Sequence, residues 1–294
     1  PVLGAEWIAR QAQPLWGALP AQTILDWDST VQPKYGHQEG AERGYNPTKP
    51  GRRSFHPLLA VVARTRLCPA YRFRSGDTVT ATQWAQTMED AQRWLGDHPV
   101  WLNRGDLGLG QEAVMAWHEA QPGRPKFLFK LKLTKGVRTG LHTVPLEHWQ
   151  GPGQRGAWQV AEGTLQLQGW TKARRVIFAR CLQGEMPGPE CGEFWDQTKH
   201  EFAVYVTNLG EDYNGWQIQQ LYRDRADVEN VFDELKNQWG WGGFCAKSRA
   251  TTELAARLLL LVYNLWVLFV RFIVPHKHTE AKRGRRWFLL IAAR

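Results

Sequence analysis

Cysteine is scarce in this chain of 294 residues, and its scarcity excludes two kinds of scaffold. The four cysteines are Cys68, Cys181, Cys191 and Cys245. They are too few to hold a fold of this length together with disulfides, and no two of them form the C-x-x-C pair that is typical of a structural zinc site. The cysteine content therefore favours a reduced, cytoplasmic setting.

The start of the sequence lacks the features of a secretion signal. The chain begins with Pro1 rather than methionine, and residues 1–7 contain neither a basic start nor an apolar core. We expect the chain to be a fragment without its natural N-terminal part.

Long apolar runs are also rare. Residues 258–274 are strongly apolar, but the run is marginally short for a membrane span and contains Asn264 and Arg271. This segment predicts a helix that is buried or forms a dimer, with a membrane span as the weaker alternative.

Negative charge is the minority charge in this sequence. The chain has 28 Asp and Glu residues against 37 Lys and Arg residues, which gives a formal net charge of +9. This excess indicates a polyanionic partner, with nucleic acid ahead of a membrane surface. The cations recur along the chain, which fits a long binding track better than one basic tail. They include Arg64, Arg66, Arg72, Arg74, Lys126, Lys130, Lys132, Lys135, Arg138, Lys282, Arg283, Arg285 and Arg286.

Strand and helix patterns alternate along the chain, which predicts an α/β fold. The first strand, over residues 23–30, places Asp26 and Asp28 on one face, with Asp28 at the strand's exit. Between residues 136 and 200, short β-like runs are separated by Gly and Pro, which predicts a β-rich insertion. Further strands are predicted at 56–63, 70–74, 100–103, 127–134 and 202–208, and helices at 84–95 and 111–120.

The most informative segment is residues 221–236. On a single helix, the side chains of Tyr222, Arg225, Glu229 and Lys236 fall within an arc of about 60°. The apolar side chains form a separate stripe about 90° away, as expected for a helix that lines a cleft. The plain alternative is a solvated helix face on which Arg225 and Glu229 form an i,i+4 ion pair.

Three acidic residues lie where a metal-dependent phosphoryl-transfer site needs them. Asp28 leaves the first strand, Asp106 follows a later strand, and Glu229 lies on the predicted helix. Because Mg²⁺ prefers a few carboxylate oxygens together with water and phosphate oxygens, such a set suits phosphodiester chemistry. The alternatives are Asp26 in place of Asp28, Asp233 in place of Glu229, and a purely local turn role for Asp106.

The sequence resembles a known family through these same residues. The spaced pattern Tyr222-x-x-Arg225-x-x-x-Glu229-x-x-x-x-x-x-Lys236 matches the signature of bacterial insertion-sequence DDE transposases of the insertion-sequence-four superfamily. Within it, the loop motifs are most similar to the group founded on insertion sequence 1380. The supporting motifs are Leu25-Asp-Trp-Asp28-Ser-Thr, Tyr35-Gly-His-Gln-Glu-Gly40, Gly44-Tyr-Asn46 and Arg104-Gly-Asp106.

The resemblance implies an RNase H-like catalytic core, in which a mixed sheet is flanked by helices, interrupted by a β-rich insertion and followed by a C-terminal helical region. On this basis we predict the first part of the core at 1–135, the insertion at 136–200, the end of the core at 201–248 and the helical region at 249–294.

The resemblance also implies roles for individual residues. Asp28, Asp106 and Glu229 would hold two Mg²⁺ or Mn²⁺ ions. Tyr222, Arg225 and Lys236 would hold DNA near the cleaved phosphate. Related transposases place an aromatic side chain before the signature helix to stack on a flipped base, and Phe202 occupies that region here. A core position for Phe202 is the alternative.

The implied function is cut-and-paste DNA transposition. Metal-dependent cleavage at the transposon ends would be followed by strand transfer into target DNA. The partners would be double-stranded DNA and a second copy of the chain, in the bacterial cytoplasm next to the nucleoid. Two alternatives remain open: an inactive or domesticated DNA-binding relative, and an RNase H-like nuclease without strand transfer.

Overall fold

The structure, a computed structural model, describes residues 22–120, 123–152, 154, 156–183, 200–244, 246–275 and 277–289. The chain divides into two compact units. The first consists of Pro1–Asn103 and Arg225–Arg294, and the second of Arg104–Asp224. The expectation of an α/β chain with a helical C-terminal region is confirmed.

The strands are β1 (Thr23–Ser29), β2 (Gln32–Pro33), β3 (Glu42–Arg43), β4 (Arg53–Phe55), β5 (Leu58–Val62), β6 (Ala70–Arg72), β7 (Val100–Gly105), β8 (Lys126–Lys130), β9 (Trp158–Leu165), β10 (Arg174–Leu182) and β11 (His200–Thr207). The helices are α1 (Trp84–Leu95), α2 (Glu112–Glu119), α3 (Lys135–His142), α4 (Gly215–Arg223), α5 (Ala226–Gln238), α6 (Arg249–Ile273) and the short α7 (Ala281–Gly284). A 3₁₀ turn covers Leu146–His148, and a π-helical turn, Arg285–Leu289, follows α7.

The first unit is built around β1. Its strands lie in the order β6-β5-β1-β7, and a small second sheet has the order β2-β4-β3. Strands β1 and β5 are antiparallel, with Asp28 opposite Leu59. Leu25, Asp26 and Trp27 are all fully buried, so both faces of β1 are covered until the strand reaches its exit. The Trp27 indole donates a hydrogen bond of 2.7 Å to the side chain of Asn103.

Helix α6 packs one side against the first unit and leaves the other side in water. Six of its eight buried residues recur every three or four positions, as on one helix face: Thr252, Ala256, Leu260, Tyr263, Val267 and Val270. The amide of Asn264, a polar residue in the apolar run, donates to the carbonyl of Cys68 at 2.9 Å and accepts from its N–H at 2.8 Å. Within the described residues, α6 is the one helix long and apolar enough to cross a membrane, a criterion that core helices of soluble proteins also meet.

The strands of the second unit lie in the order β8-β11-β10-β9. On β10, the buried Arg174 guanidinium contacts the carboxylates of Glu112, at 2.6 Å, and Glu119, at 2.9 Å. These ion pairs tie both ends of α2 to the sheet, and the first holds the pKa of Glu112 at about 2.

The segment predicted as a β-rich insertion contains β9 and β10, which continue the sheet beside β11. It also contains α3 except for Lys135, and no helix is predicted there from the sequence. Gly136 and Gly140 lower the helix propensity of these eight residues, so their local pattern does not predict a helix. The side chain of Thr134 caps the helix by accepting from the N–H of Val137. The domain boundaries proposed from the sequence stay a prediction.

The expectation of one helix over residues 221–236 is wrong. The chain forms α4 and α5 there, with a break at Asp224 and Arg225, whose ψ angles are 0° and −4°. No Gly or Pro marks this break, and the apolar periodicity runs through it. Tyr222 therefore lies in the last turn of α4, Arg225 is the N-cap of α5, and the four signature residues do not share one helical face.

Candidate active site

In the first unit, Asp28 and Arg225 form a close ion pair at the exit of β1. The Arg225 Nη2 lies 2.9 Å from Asp28 Oδ2 and also donates to the Trp27 carbonyl at 3.2 Å. The other carboxylate oxygen of Asp28 accepts from the N–H of Ser29 at 2.7 Å. The Arg225 side chain is only 5% exposed, whereas that of Asp28 is 24% exposed. Arg225 thus fixes the orientation of a carboxylate that still reaches the surface.

Glu229 brings a second carboxylate to the same guanidinium. It lies in the first turn of α5, where the helix dipole favours negative charge. Its Oε1 is 3.9 Å from Arg225 Nη1, and its side chain is 73% exposed. Two carboxylates from separate elements therefore meet at one buried arginine, and the Glu229 oxygens remain accessible to solvent and to ligands.

Lys236 lies two turns further along α5 and contacts the loop after β1. Its ammonium donates a hydrogen bond to the Thr30 hydroxyl. Desolvation lowers the pKa of Lys236, while the nearby charges of Asp28 and Asp233 oppose this shift. The carboxylate of Asp28 is thus near both Arg225 and Lys236.

The two alternative acids of this unit differ from Asp28 and Glu229 in their surroundings. Asp26 is fully buried in β1, so a hydrated ion has less access to it than to Asp28. Asp233 is exposed and accepts a hydrogen bond of 2.6 Å from the Asn237 amide on the same helix.

In the second unit, Asp106 is paired with Tyr222. The Tyr222 hydroxyl donates to Asp106 Oδ1 at 3.3 Å, and the two tyrosine rings of Tyr222 and Tyr205 lie 4.5 Å apart. The turn after β7 is closed by the backbone, because the N–H of Leu109 donates to the carbonyl of Asp106 at 3.0 Å. The side chain of Asp106 is therefore held by Tyr222, while the Asp106 carbonyl serves the turn.

Arg104, two residues before Asp106, is a buried residue close to Tyr222 for which the sequence predicted no individual role. It is 1% exposed, and its guanidinium donates to the carbonyls of Leu221 and, at 3.4 Å, Asp224. It therefore satisfies carbonyl groups at the C-terminal end of α4, close to Tyr222. The only sequence signal was its position in the Arg-Gly-Asp motif.

Phe202 lies on β11, in the same unit, and is partly exposed rather than in the core. Its ring stacks on His200 with 5.8 Å between centroids. A role in base stacking stays a prediction.

Carboxylate oxygens are the donors that Mg²⁺ and Mn²⁺ prefer, and the assignment of Asp28, Asp106 and Glu229 as metal ligands stays a prediction. The exposure of Glu229 and the partial exposure of Asp28 fit a hydrated ion. Across the part of the chain that the structure describes, no three His, Cys, Asp or Glu side chains are grouped closely enough to form a metal site.

Known proteins resemble this chain at the level of family and of fold. A family model described as Transposase DDE domain group 1 matches residues 4–293. No curated protein sequence matches the chain. Among solved structures, the cryo-EM structure of a piggyBac transposase synaptic complex with hairpin DNA matches with a TM-score of 0.54 and 10% identity. The match covers 90% of this chain and 50% of that chain, so the present chain spans about half the length of that transposase. At this identity the likeness is one of fold.

Proposed function

Because the chain belongs to the transposase DDE domain group 1 family, we propose that it carries the catalytic core of a DNA transposase that works by cut and paste. It cleaves phosphodiester bonds at the transposon ends and joins the freed 3′ ends to target DNA. The loop motifs further favour the insertion sequence 1380 group within the insertion-sequence-four superfamily. We assign its action to the bacterial cytoplasm, next to the nucleoid.

One observation carries this proposal. Asp28, at the end of a buried strand, and Glu229, in the first turn of α5, both face the buried guanidinium of Arg225. A surface helix with ordinary intrahelical ion pairs has no need of a buried arginine that reaches a strand carboxylate. Two carboxylates delivered by separate elements are what metal-dependent phosphodiester chemistry requires.

Asp28, Asp106 and Glu229 are the residues that would hold Mg²⁺ or Mn²⁺, with two ions as the expected number. Such ions supply an activated attacking oxygen and stabilisation of the leaving oxygen. Arg225 orients Asp28, and Tyr222 orients Asp106 through its hydroxyl.

DNA is the proposed substrate, and the signature residues are its proposed contacts. The ammonium of Lys236 suits a phosphate oxygen as a point charge, and the partly exposed ring of Phe202 suits a base. Phosphate contacts by Arg225 and Tyr222 stay predictions, since both side chains are held by carboxylates in this structure.

The proposed active form is a homodimer, and the outer face of α6 supports this part of the proposal. Five exposed apolar residues follow the alternating spacing of four and three that one helix uses to pack on another. They are Leu258, Val262, Leu265, Phe269 and Phe272.

A cleavage assay tests the proposed activity. A labelled duplex that carries the terminal repeat flanking the gene is incubated with the protein and Mg²⁺. We expect site-specific nicking that Glu229→Gln abolishes and that the neighbouring Asp233→Asn leaves within about twofold, because only Glu229 is assigned to metal binding. Equal nicking by wild type and Glu229→Gln would overturn the assignment.

A joining assay separates transposition from the two alternatives. With pre-cut ends and a target plasmid, a transposase yields joined products, whereas an RNase H-like nuclease yields none. Salt-sensitive DNA binding without cleavage in Mg²⁺ or Mn²⁺ would indicate an inactive relative.

A further inference from the structure

The first unit contains a cavity that lies apart from the carboxylates of Asp28 and Glu229. Its volume is about 710 Å³, within the range that holds a nucleotide-sized group. We call it the basic cavity. Its lining includes Arg66, Gln238, Lys277, Lys282, Arg283 and Arg286.

The cavity is strongly cationic. Five Lys and Arg side chains line it, against the single carboxylate of Glu280, which accepts a hydrogen bond of 2.6 Å from the Gln238 amide. Arg66 faces the acidic groups of Asp227, at 3.5 Å, and Glu234, at 4.0 Å. Among the described residues, the other four cations have no carboxylate within ion-pair distance. Lys277, Lys282, Arg283 and Arg286 are all exposed. Their mutual repulsion is relieved when an anion binds among them.

An aromatic side chain stands at the rim of the cavity. Trp287 is 55% exposed, and the Arg283 guanidinium lies 5.7 Å from its ring centroid. An exposed indole beside a cluster of cations is the combination that binds a phosphate backbone and stacks on a sugar or base. A site for a small inorganic anion has no use for the indole.

Hydrogen bonds attach the C-terminal part of the cavity wall to α5. The last residue of that helix, Gln238, accepts from the backbone N–H of Lys282 at 2.8 Å. The fully buried carboxylate of Glu234 accepts from His278 Nε2 at 2.8 Å and from the N–H of Ala281 at 2.9 Å. The segment that carries the cations is thus anchored to α5 at His278, Ala281 and Lys282.

Gln238 lines the cavity and lies on the same helix as Glu229, so the helix gives the distance between them. Glu229 and Gln238 are nine residues apart on α5, so they are separated by roughly 13 Å along the helix axis, which equals the rise of about four base pairs along the axis of a duplex. A strand whose phosphate lies at Glu229 can therefore reach the cavity within half a helical turn of DNA.

We infer that the basic cavity binds the phosphodiester backbone of DNA a few nucleotides from the cleaved bond, and that Trp287 packs on a sugar or base there. This inference rests on the proposed DNA transposase function and adds to it a second DNA contact, one that positions the strand and takes no part in the chemistry.

The test is the salt dependence of DNA binding by the triple variant Lys277→Gln, Lys282→Gln, Arg286→Gln. Fluorescence anisotropy with a labelled duplex in the presence of EDTA measures binding without cleavage. At about 150 mM salt we expect a 10- to 100-fold weaker affinity than wild type, and a slope of log K against log salt that is smaller by about 2 to 3. Trp287→Ala should weaken binding further without changing the slope.

A charge-matched control is Arg43→Gln, Arg93→Gln, Lys247→Gln, three exposed cations elsewhere on the chain. This control variant loses three positive charges, as the triple variant does. If the two variants lost the same DNA affinity, net charge alone would explain the effect and the inference would be overturned. Unchanged thermal melting of both variants establishes that they fold.

Cleavage separates the failure of this inference from the failure of the proposed function. At saturating protein, the triple variant should nick the transposon-end duplex within about threefold of the wild-type rate. Wild-type DNA affinity in the triple variant would overturn the cavity assignment and leave the function standing. Absence of DNA binding by the wild-type protein would overturn both. If the triple variant lost binding of ATP but not of DNA, the cavity would be a nucleotide site, which also contradicts the inference.

Discussion

The guanidinium of Arg225 lies 2.9 Å from the carboxylate of Asp28, almost completely buried and at the break between two helices. This pair joins the exit of β1 to the start of α5. Because Glu229 follows one turn later, its carboxylate also lies 3.9 Å from the same guanidinium. In this structure Arg225 is thus a positioning residue.

Arg225→Lys tests that role. A lysine keeps the charge but cannot contact Asp28 and the Trp27 carbonyl together in the same geometry. We expect the cleavage rate at saturating DNA to fall about 100-fold, as small misplacements of reacting groups do, with the Kd for DNA within threefold of wild type. Arg223→Lys, an exposed arginine at the end of α4, is the control. A Kd that weakens tenfold or more in Arg225→Lys would instead show that Arg225 grips a phosphate directly.

Tyr222→Phe tests the hydrogen bond to Asp106. The loss of one partly buried hydroxyl should lower the free energy of unfolding by about 1 kcal/mol. Since Asp106 loses its fixed orientation, we also expect about a tenfold slower cleavage. Tyr205→Phe keeps the contact between the two tilted rings and the hydrogen bond from Tyr222 to Asp106, and serves as the control. Denaturant unfolding and single-turnover cleavage measure the two effects. An unchanged cleavage rate would contradict an orienting role for Tyr222.

Glu234→Ala tests how the C-terminal segment is attached. Glu234 is fully buried and accepts hydrogen bonds from His278 and Ala281. Its removal should lower the free energy of unfolding by about 3 kcal/mol and speed proteolysis within residues 277–289. The exposed neighbour Asp233→Ala should change stability by less than about 0.5 kcal/mol. Equal effects of the two substitutions would rule out the anchoring role.

The burial of His118 should make the protein less stable in acid. Burial lowers the pKa of His118 to about 4, although its hydrogen bond to the Pro125 carbonyl raises it slightly. The ordinary pKa is 6.5, so between pH 6.5 and 4 the unfolded chain binds a proton that the folded chain does not. Stability should therefore fall as the pH falls through this window, by up to about 3 kcal/mol.

The check is denaturant unfolding at pH 7, 5.5 and 4.5. His118→Asn keeps a donor for the Pro125 carbonyl but does not titrate, so this variant should show a smaller loss between pH 7 and 4.5. The exposed His37→Asn should lose stability as wild type does. An identical pH dependence in His118→Asn and wild type would exclude His118 as the cause.

The predictions that held are those that depend on local pattern. Alternation placed β1 with Asp28 at its exit, and helical spacing placed α1, because each reflects which side chains face the core. Asn264 looked out of place in an apolar run, and the structure explains it through the Cys68 backbone that it binds. That partner is 196 residues away, beyond the reach of any local pattern.

The sequence by itself determined the alternation of strands and helices, the excess of positive charge and the spacing of Tyr222, Arg225, Glu229 and Lys236. These features depend only on composition and on the local order of residues. Only the tertiary structure decided that residues 221–236 form two helices, because the break at Arg225 carries no Gly or Pro and coincides with a guanidinium bound to a strand nearly 200 residues earlier. Likewise, the segment with the cations of residues 277–286 is attached to α5 by Glu234 and Gln238, contacts that no local sequence pattern predicts. Long-range contacts of buried polar groups set these features, and their free energy does not appear in local propensity.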